Sequence, residues 1–263
     1  MFIEPQNLSS SKVYSHIISL VPSLTELLYY LGLEEEVLAI TKFCVHPQKW
    51  HQTKTRIGGT KNVNIDLIKR LEPDLIIANK EENVREQVEL LSKDFDIFVS
   101  DVNNLTDAIN MISFIGALTG KGASALHLRN KIQAKFKRLA DETALKSKIK
   151  TAYLIWRNPY MTIGGDTFIN DMMAYCEMEN IYADSSRYPQ IDLKELPAKK
   201  CELLILSSEP YPFKEKHINE IQSSVPGTKI LLADGEMFSW YGSRLLKAVE
   251  YFESFQKKNG FAE

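Results

Sequence analysis

Three stretches of this 263-residue chain concentrate side chains suited to gripping a flat or charged molecule. The first is Trp156-Arg157-Asn158-Pro159-Tyr160, running on through Gly164-Gly165-Asp166. The second is Glu209-Pro210-Tyr211-Pro212-Phe213. The third is Asp234-Gly235-Glu236-Met237-Phe238-Ser239-Trp240-Tyr241, with Arg244 just beyond. Aromatic rings with a few fixed polar groups fit a large, partly apolar ligand. Arg157 and Arg244 are the groups to pair with carboxylate or phosphate on such a ligand. Asp166, Asp171, Glu209, Asp234 and Glu236 are available for acid–base work, but no spacing selects a pair, and neither GxSxG nor HExxH occurs. No catalytic residue is assigned.

A fourth cluster lies in the first half, where Phe43, His46 and Trp50 are expected as further ligand contacts. Cys44, His46 and His51 make a nominal metal trio, but Cys-x-His without a second pair is not a zinc pattern, so no protein metal site is expected. The plain alternative is a Cys packed as a small hydrophobe and a His bonded to the loop backbone. Gly58-Gly59 and Gly164-Gly165 either bring backbone N–H groups to an anion or serve tight turns. No phosphate-cradling glycine motif is present, so a nucleotide cofactor is not expected.

Strand and helix signals alternate around these stretches. Buried-strand runs are read at His16–Pro22, Val37–Thr41, Asp74–Asn79 and Asp96–Ser100, with a helix near Val84–Leu91. Ser23 and Glu26 are spaced as a capping box opening a helix that runs to Leu31, with Gly32 behind it. Between Leu105 and Leu145 the pattern is helical, broken at Gly120-Lys121-Gly122. Leu128, Ile132, Phe136 and Leu139 then form one apolar stripe on a helix of more than six turns. Strands resume at Thr151–Trp156, Ile181–Ala183, Glu202–Ser207 and Lys229–Ala233, with helices at Thr167–Cys176, Phe213–Gln222 and Ser243–Phe255. The expected fold is α/β: two lobes with mostly parallel sheets, residues 1–121 and 148–263, joined by a bridging helix over 122–147, with a ligand cleft between the lobes. In such sheets ligands bind beyond the carboxyl ends of the strands, which is where the aromatic loops fall.

Composition sets the class. Hydrophobic residues at 44% and charged residues at 25% are globular values, and a net charge of −2 gives no basic surface for nucleic acid. Three cysteines without CxxC make no disulfide framework. No apolar run approaches the roughly 20 residues that span a bilayer. Met1 to Asn7 shows neither the basic nor the apolar region of a secretory leader.

Several segments resemble one family. ISLVPSLTELLYYLGL, GGTKN and NIDLIKRLEPDLIIANKEEN are similar to the N-terminal lobe of helical-backbone (class III) substrate-binding proteins, the receptors that serve ABC importers for cobalamin, ferric siderophores and haem. YLIWRNPYMTIGGDTFINDM, RYPQIDLKEL, LLILSSEPYPF and DGEMFSWYGSRLL resemble the C-terminal lobe of a cobalamin-receptor-like branch. The resemblance implies two lobes bridged by one long helix, a metal chelate held between them, and delivery to a membrane permease. The branch places one cleft tryptophan in each lobe; those positions fall here on Asn79 and Tyr188, so one aromatic clamp is replaced. The two permease-docking glutamates fall near Arg85 and Lys194, with Glu86 and Glu195 directly beside them. Either the charge is reversed at both docking positions or a one-residue shift restores Glu86 and Glu195.

The expectation is therefore a monomeric binding protein for a cobalt or iron chelate, without catalysis and without an intrinsic cofactor. Its expected partners are that chelate and an ABC permease. It is periplasmic or at the cell surface if a leader has been removed, and otherwise a cytoplasmic carrier or sensor. The alternatives are a receptor for a bare divalent ion, which needs three or four converging His, Asp or Glu ligands, and an enzyme acting on a corrinoid-like ligand.

Overall fold

Short runs of β-branched and aliphatic residues buried on both faces can only be satisfied inside a parallel sheet covered by helices. The computed structural model, which describes residues 1–4, 12–144 and 146–260, contains two such sheets. Pro5–Asn7 and Leu145, used in the leader and helix readings above, lie outside the described residues.

Two units divide the chain. The first comprises Met1–Val102, Thr106–Lys131 and Tyr241–Arg244. Its strands are β1 (Phe2–Ile3), β2 (Ile17–Ser19), β3 (Val37–Ile40), β4 (Thr55–Arg56), β5 (Leu75–Asn79) and β6 (Asp96–Ser100). They pair in the order β1-β6-β5-β2-β3-β4, every ladder parallel. Helices α1 (Pro22–Tyr30), α2 (Gln48–Thr53), α3 (Ile65–Leu71) and α4 (Arg85–Leu91) cross between strands, and α5 (Leu105–Leu118) follows β6. The sequence reading missed β1, β4, α2 and α3, all too short to show a period.

The capping box at Ser23 does not form. Val21 is the N-cap and makes no side-chain bond, while Pro22 occupies the first helical position. Proline is pre-set for that position and lacks an N–H that would be unpaired there anyway. Ser23 is thus inside the helix. Glu26 instead accepts Arg244 Nε at 2.8 Å, a pair 218 residues apart.

Helix α6 (Gly122–Thr143) carries the predicted stripe: Leu128, Ile132, Phe136 and Leu139 are all buried. Its residues up to Lys131 belong to the first unit and those from Ile132 to the second. Where α5 and α6 meet, a Cβ on Gly116 would stand 2.3 Å from that of Ala125, so only glycine permits the approach.

The second unit comprises Asn103–Leu105, Ile132–Trp240 and the chain from Leu245 on. Its strands are β7 (Ile149–Leu154), β8 (Met178–Asn180), β9 (Leu203–Ser207) and β10 (Lys229–Ala233), in the order β10-β9-β7-β8, again all parallel. Helices α7 (Phe168–Tyr175), α8 (Glu215–Gln222), α9 (Gly235–Ser239) and α10 (Leu245–Asn259) complete it. β8 lies three residues before its predicted place. Asn180 Nδ2 donates to Ile163 O and its Oδ1 accepts Tyr182 N, so the chain turns out of the sheet where Ile181-Tyr182-Ala183 looked strand-like.

Gly164 and Gly165 serve packing rather than an anion. Their N–H groups donate to Arg187 O and Ser185 O, and an added Cβ would sit 2.2 Å from Ser185 O or 2.1 Å from Ala183 O. Gly164→Ala is therefore expected to lower unfolding free energy by about 1–3 kcal/mol through overpacking. Gly122→Ala, at a helical position with nothing within 4 Å, is expected to raise it by about 0.5–1 kcal/mol. Urea denaturation of both variants measures the contrast; equal effects would contradict this packing.

Candidate ligand-binding site

Beyond the carboxyl end of β7 the backbone stays hydrogen-bonded instead of fraying. Ile155 N donates to Met161 O at 3.0 Å and Met161 N to Trp156 O at 3.2 Å, folding residues 155–161 back on themselves around Asn158, whose φ is +61°. Thr162 N then donates to Pro189 O (3.0 Å) and Ile191 N to Tyr160 O (3.0 Å), while Tyr211 N donates to Ile155 O (3.2 Å). Bridges Trp156–Met161 and Met161–Gln190 complete the rim. Four predicted residues, Trp156, Tyr160, Tyr188 and Tyr211, are thereby fixed on adjoining segments above the second sheet.

Their side chains form a partly exposed aromatic surface. Trp156 is 40% exposed and stands edge-on to Tyr211, centroids 5.9 Å apart. Tyr160 and Tyr211 pack their inner faces on the core of this unit. Arg157 Nη2 meets Glu220 Oε2 at 2.7 Å, and its guanidinium is held above the usual arginine range first by a hydrogen bond to Tyr211. The Arg187 guanidinium lies 5.9 Å from the Tyr188 ring centroid and donates to Asn103 Oδ1 at 3.2 Å. Arg187 has φ +57°, a conformation that costs a long side chain energy. Asp166 Oδ1 holds it there by accepting the Arg187 N–H. Sequence reasoning missed Arg187, although it sits beside an expected clamp residue.

Behind this surface the predicted residues do other work. Phe238 is fully buried, 5.3 Å from Tyr153 and 4.8 Å from Phe252, so it is core and offers a ligand nothing. Trp240 is 8% exposed, and its Nε1 donates to Glu209 Oε1 at 2.9 Å. The same oxygen accepts Ser239 Oγ at 2.5 Å. Burial pushes the Glu209 carboxyl up, with Glu236 and Asp234 adding repulsion against the two hydrogen bonds. Glu209 is thus a brace that ties its loop to α9. That five-residue helix was read as loop, yet Asp234 caps it by accepting Glu236 N. A Cβ on Gly235 would lie 2.5 Å from Ser207 Oγ and 2.6 Å from Glu209 Cγ, so this close approach requires glycine.

In the first unit Phe43 is 51% exposed and His46 half-buried, both in the loop between β3 and α2. Trp50 is wholly buried, edge-on to Tyr29 at 5.2 Å, so this expected contact is core as well. Cys44 Sγ lies 3.1 Å from the Thr25 hydroxyl and 3.2 Å from that of Thr41, and burial pushes the thiol up. Among the described residues no group of three His, Cys, Asp or Glu side chains is placed to hold a metal ion. Gly58 (φ +100°) and Gly59 turn the chain, with Gly59 N donating to Asn62 O.

Asn79, the replaced clamp position, is a buried hydrogen-bonding hub. Its Nδ2 donates to Tyr241 Oη at 2.7 Å and to Ser100 O at 3.0 Å, and its Oδ1 accepts Glu81 N and Glu82 N. Tyr241 is therefore a buried residue of the first unit. Arg244 is likewise in the first unit and buried against Glu26, not presented to a ligand's acidic groups. Glu86 and Glu195 are exposed, as are their neighbours Arg85, paired to Glu89, and Lys194. No described helix is long and apolar enough to cross a membrane.

Known proteins resemble this chain in sequence and in fold. A vitamin B12-binding protein of Vibrio cholerae serotype O1 is 29% identical over 213 residues, 79% of this chain and 75% of its own length. One from Yersinia pestis is 24% identical over 73% of this chain and 69% of its own. Among solved structures, the periplasmic vitamin B12-binding protein of Vibrio cholerae superposes with TM-score 0.79 at 22% identity, covering 95% of this chain and 99% of that one. A periplasmic haem-binding protein from Roseiflexus sp. RS-1 superposes with TM-score 0.76 at 18% identity, covering 94% and 99%. The pattern of one family matches residues 17–228, a span that takes in both sheets from β2 through β9. With most of its length so matched, the chain belongs to the periplasmic binding protein family.

Proposed function

We propose that this chain is a receptor for a metal chelate of corrinoid, haem or siderophore type, that it delivers the chelate to an ABC-type importer, and that it catalyses no reaction. The observation that carries the reading is the aromatic surface of the second unit: Trp156 and Tyr211 edge to edge, with Tyr160 and Tyr188 on adjoining segments and the guanidiniums of Arg157 and Arg187 beside them. Such a surface suits a wide, partly apolar ligand that also carries acceptor or anionic groups. Relatives named for vitamin B12 favour a corrinoid, and structural neighbours named for haem and for Fe3+-hydroxamate transport keep the wider class in view. A buried asparagine at position 79 favours a ligand contacted differently from one held by two tryptophans. Phe43 and His46 are proposed as first-unit contacts, Glu86 and Glu195 as the permease-facing acids, and the periplasm as the place of work.

Titration of tryptophan fluorescence with cobalamin, cobinamide, haemin and a ferric siderophore tests this. One of them is expected to quench saturably, and Trp156→Ala to weaken that binding about tenfold, the ~1.4 kcal/mol scale of a lost aromatic contact. Silence toward all four would sink the proposal.

Glu209 separates binding from catalysis. Its raised pKa means the native state holds a proton that the unfolded chain has released, so its contribution to stability falls as pH rises from the ordinary glutamate value through the raised one. Glu209→Gln keeps an acceptor for Ser239 and Trp240 and has nothing to ionise. The variant is expected to bind the chelate like the parent and to gain stability over it progressively above about pH 4.5. Parallel stability curves for the two proteins, or loss of binding in the variant, would contradict the bracing role.

A further inference from the structure

We propose that His217 is a positioning residue for the Trp156–Tyr211 face, gripping it only while its ring is neutral; the inference rests on the binding reading above. His217 lies in the first turn of α8 and is 3% exposed. Its Nδ1 accepts the Lys214 N–H at 2.8 Å, so that nitrogen carries no proton and the single ring proton sits on Nε2. Nε2 faces the Tyr211 hydroxyl at 3.4 Å and acts as donor to it. The imidazole also stands edge-on to Tyr211 at 5.6 Å and to Phe213 at 5.5 Å. A continuous chain of contacts therefore runs from the start of α8 through His217 and Tyr211 to the exposed indole of Trp156.

A second ring proton would break this chain at its base. It can enter only at Nδ1, where it would point at the Lys214 N–H, replacing a capping bond with two opposed donors. The charged and titratable groups around the ring are Arg157 from the loop after β7, Glu220, Lys216 and Lys214 on or beside α8, and Tyr211. Burial first, then the charge of Arg157, hold His217 below the ordinary histidine range. Between that lowered value and about pH 6.5 the native state binds fewer protons than the unfolded chain, so the bracing is intact at neutral pH, its contribution to stability declines as pH falls below about 6.5, and the contact itself opens only once pH passes below the lowered native value. A receptor built this way holds its aromatic face firmly at neutral pH and loosens it in acid.

The test needs no ligand. Acrylamide quenching of tryptophan fluorescence is measured in the parent and in Trp156→Phe, the difference isolating Trp156. As pH is lowered from about 7.5 through the lowered range of His217, down to about pH 4.5, the Trp156 quenching constant is expected to rise about twofold in the parent. In His217→Gln it is expected to stay flat, because glutamine at this helical position still accepts the Lys214 N–H and gains no proton. His217→Leu should show the raised value at both pH values. If His217→Leu fails to fold, the parent and the glutamine variant decide the matter. A pH-independent constant in the parent, or the same rise in His217→Gln, would overturn the proposal. For whichever chelate binds, Kd is expected to rise about fivefold across this interval in the parent and to hold constant in His217→Gln. Failure of every chelate to bind would overturn the receptor reading while the quenching result on His217 stood on its own.

Discussion

The placement of the candidate surface depends on the β7–β9 pairing continuing past the last residue of its ladder. Leu154 pairs with Leu206, and Tyr211 N then closes on Ile155 O, so the loop after β9 is held against the loop after β7. Every further rim contact is referenced to that one: Ile155 to Met161, Thr162 to Pro189, Tyr160 to Ile191. Loops that would otherwise move independently become a small antiparallel extension of a parallel sheet. Rings mounted on it lose little further freedom when a ligand arrives, which is where rigid aromatic contacts gain their affinity.

A second constraint is the satisfaction of polar groups that must be buried to bring these segments together. Asn79 bonds Ser100 and Tyr241, Glu209 gathers Ser239 and Trp240, and Glu26 takes Arg244. Each joins segments distant in sequence. Loss of one partner in such a group strands the other away from water, a cost larger than the value of the bond itself. The half-buried carboxylate of Glu209, for instance, is already committed as an acceptor of Ser239 and Trp240.

Much of the architecture was legible. β6 and β10 fall where buried apolar runs place them, and the stripe Leu128–Ile132–Phe136–Leu139 marks the inner face of α6. What escaped was either short or non-local. α9 and β4 are shorter than any period, and Met178-Glu179-Asn180 forms β8 although the neighbouring Ile181-Tyr182 has the stronger strand character. Glu26 was read locally as part of a cap, whereas its partner Arg244 lies 218 residues on. At the site, position after a strand singled out Trp156 and Tyr211, which the structure places edge to edge with Trp156 exposed and Tyr211 half-buried. Residue type failed for Trp50 and Phe238, because an aromatic ring serves a core and a binding face equally well and only the packing separates them.

The central claim is that the rim of the second unit is the ligand's seat. Hydrogen exchange of backbone amides, with and without a saturating chelate, addresses it directly. The account predicts slowed exchange concentrated at residues 155–162, 187–191 and 208–213, whose amides anchor the rim. Protection confined elsewhere, with those three segments unchanged in a chain that demonstrably binds the chelate, would contradict it.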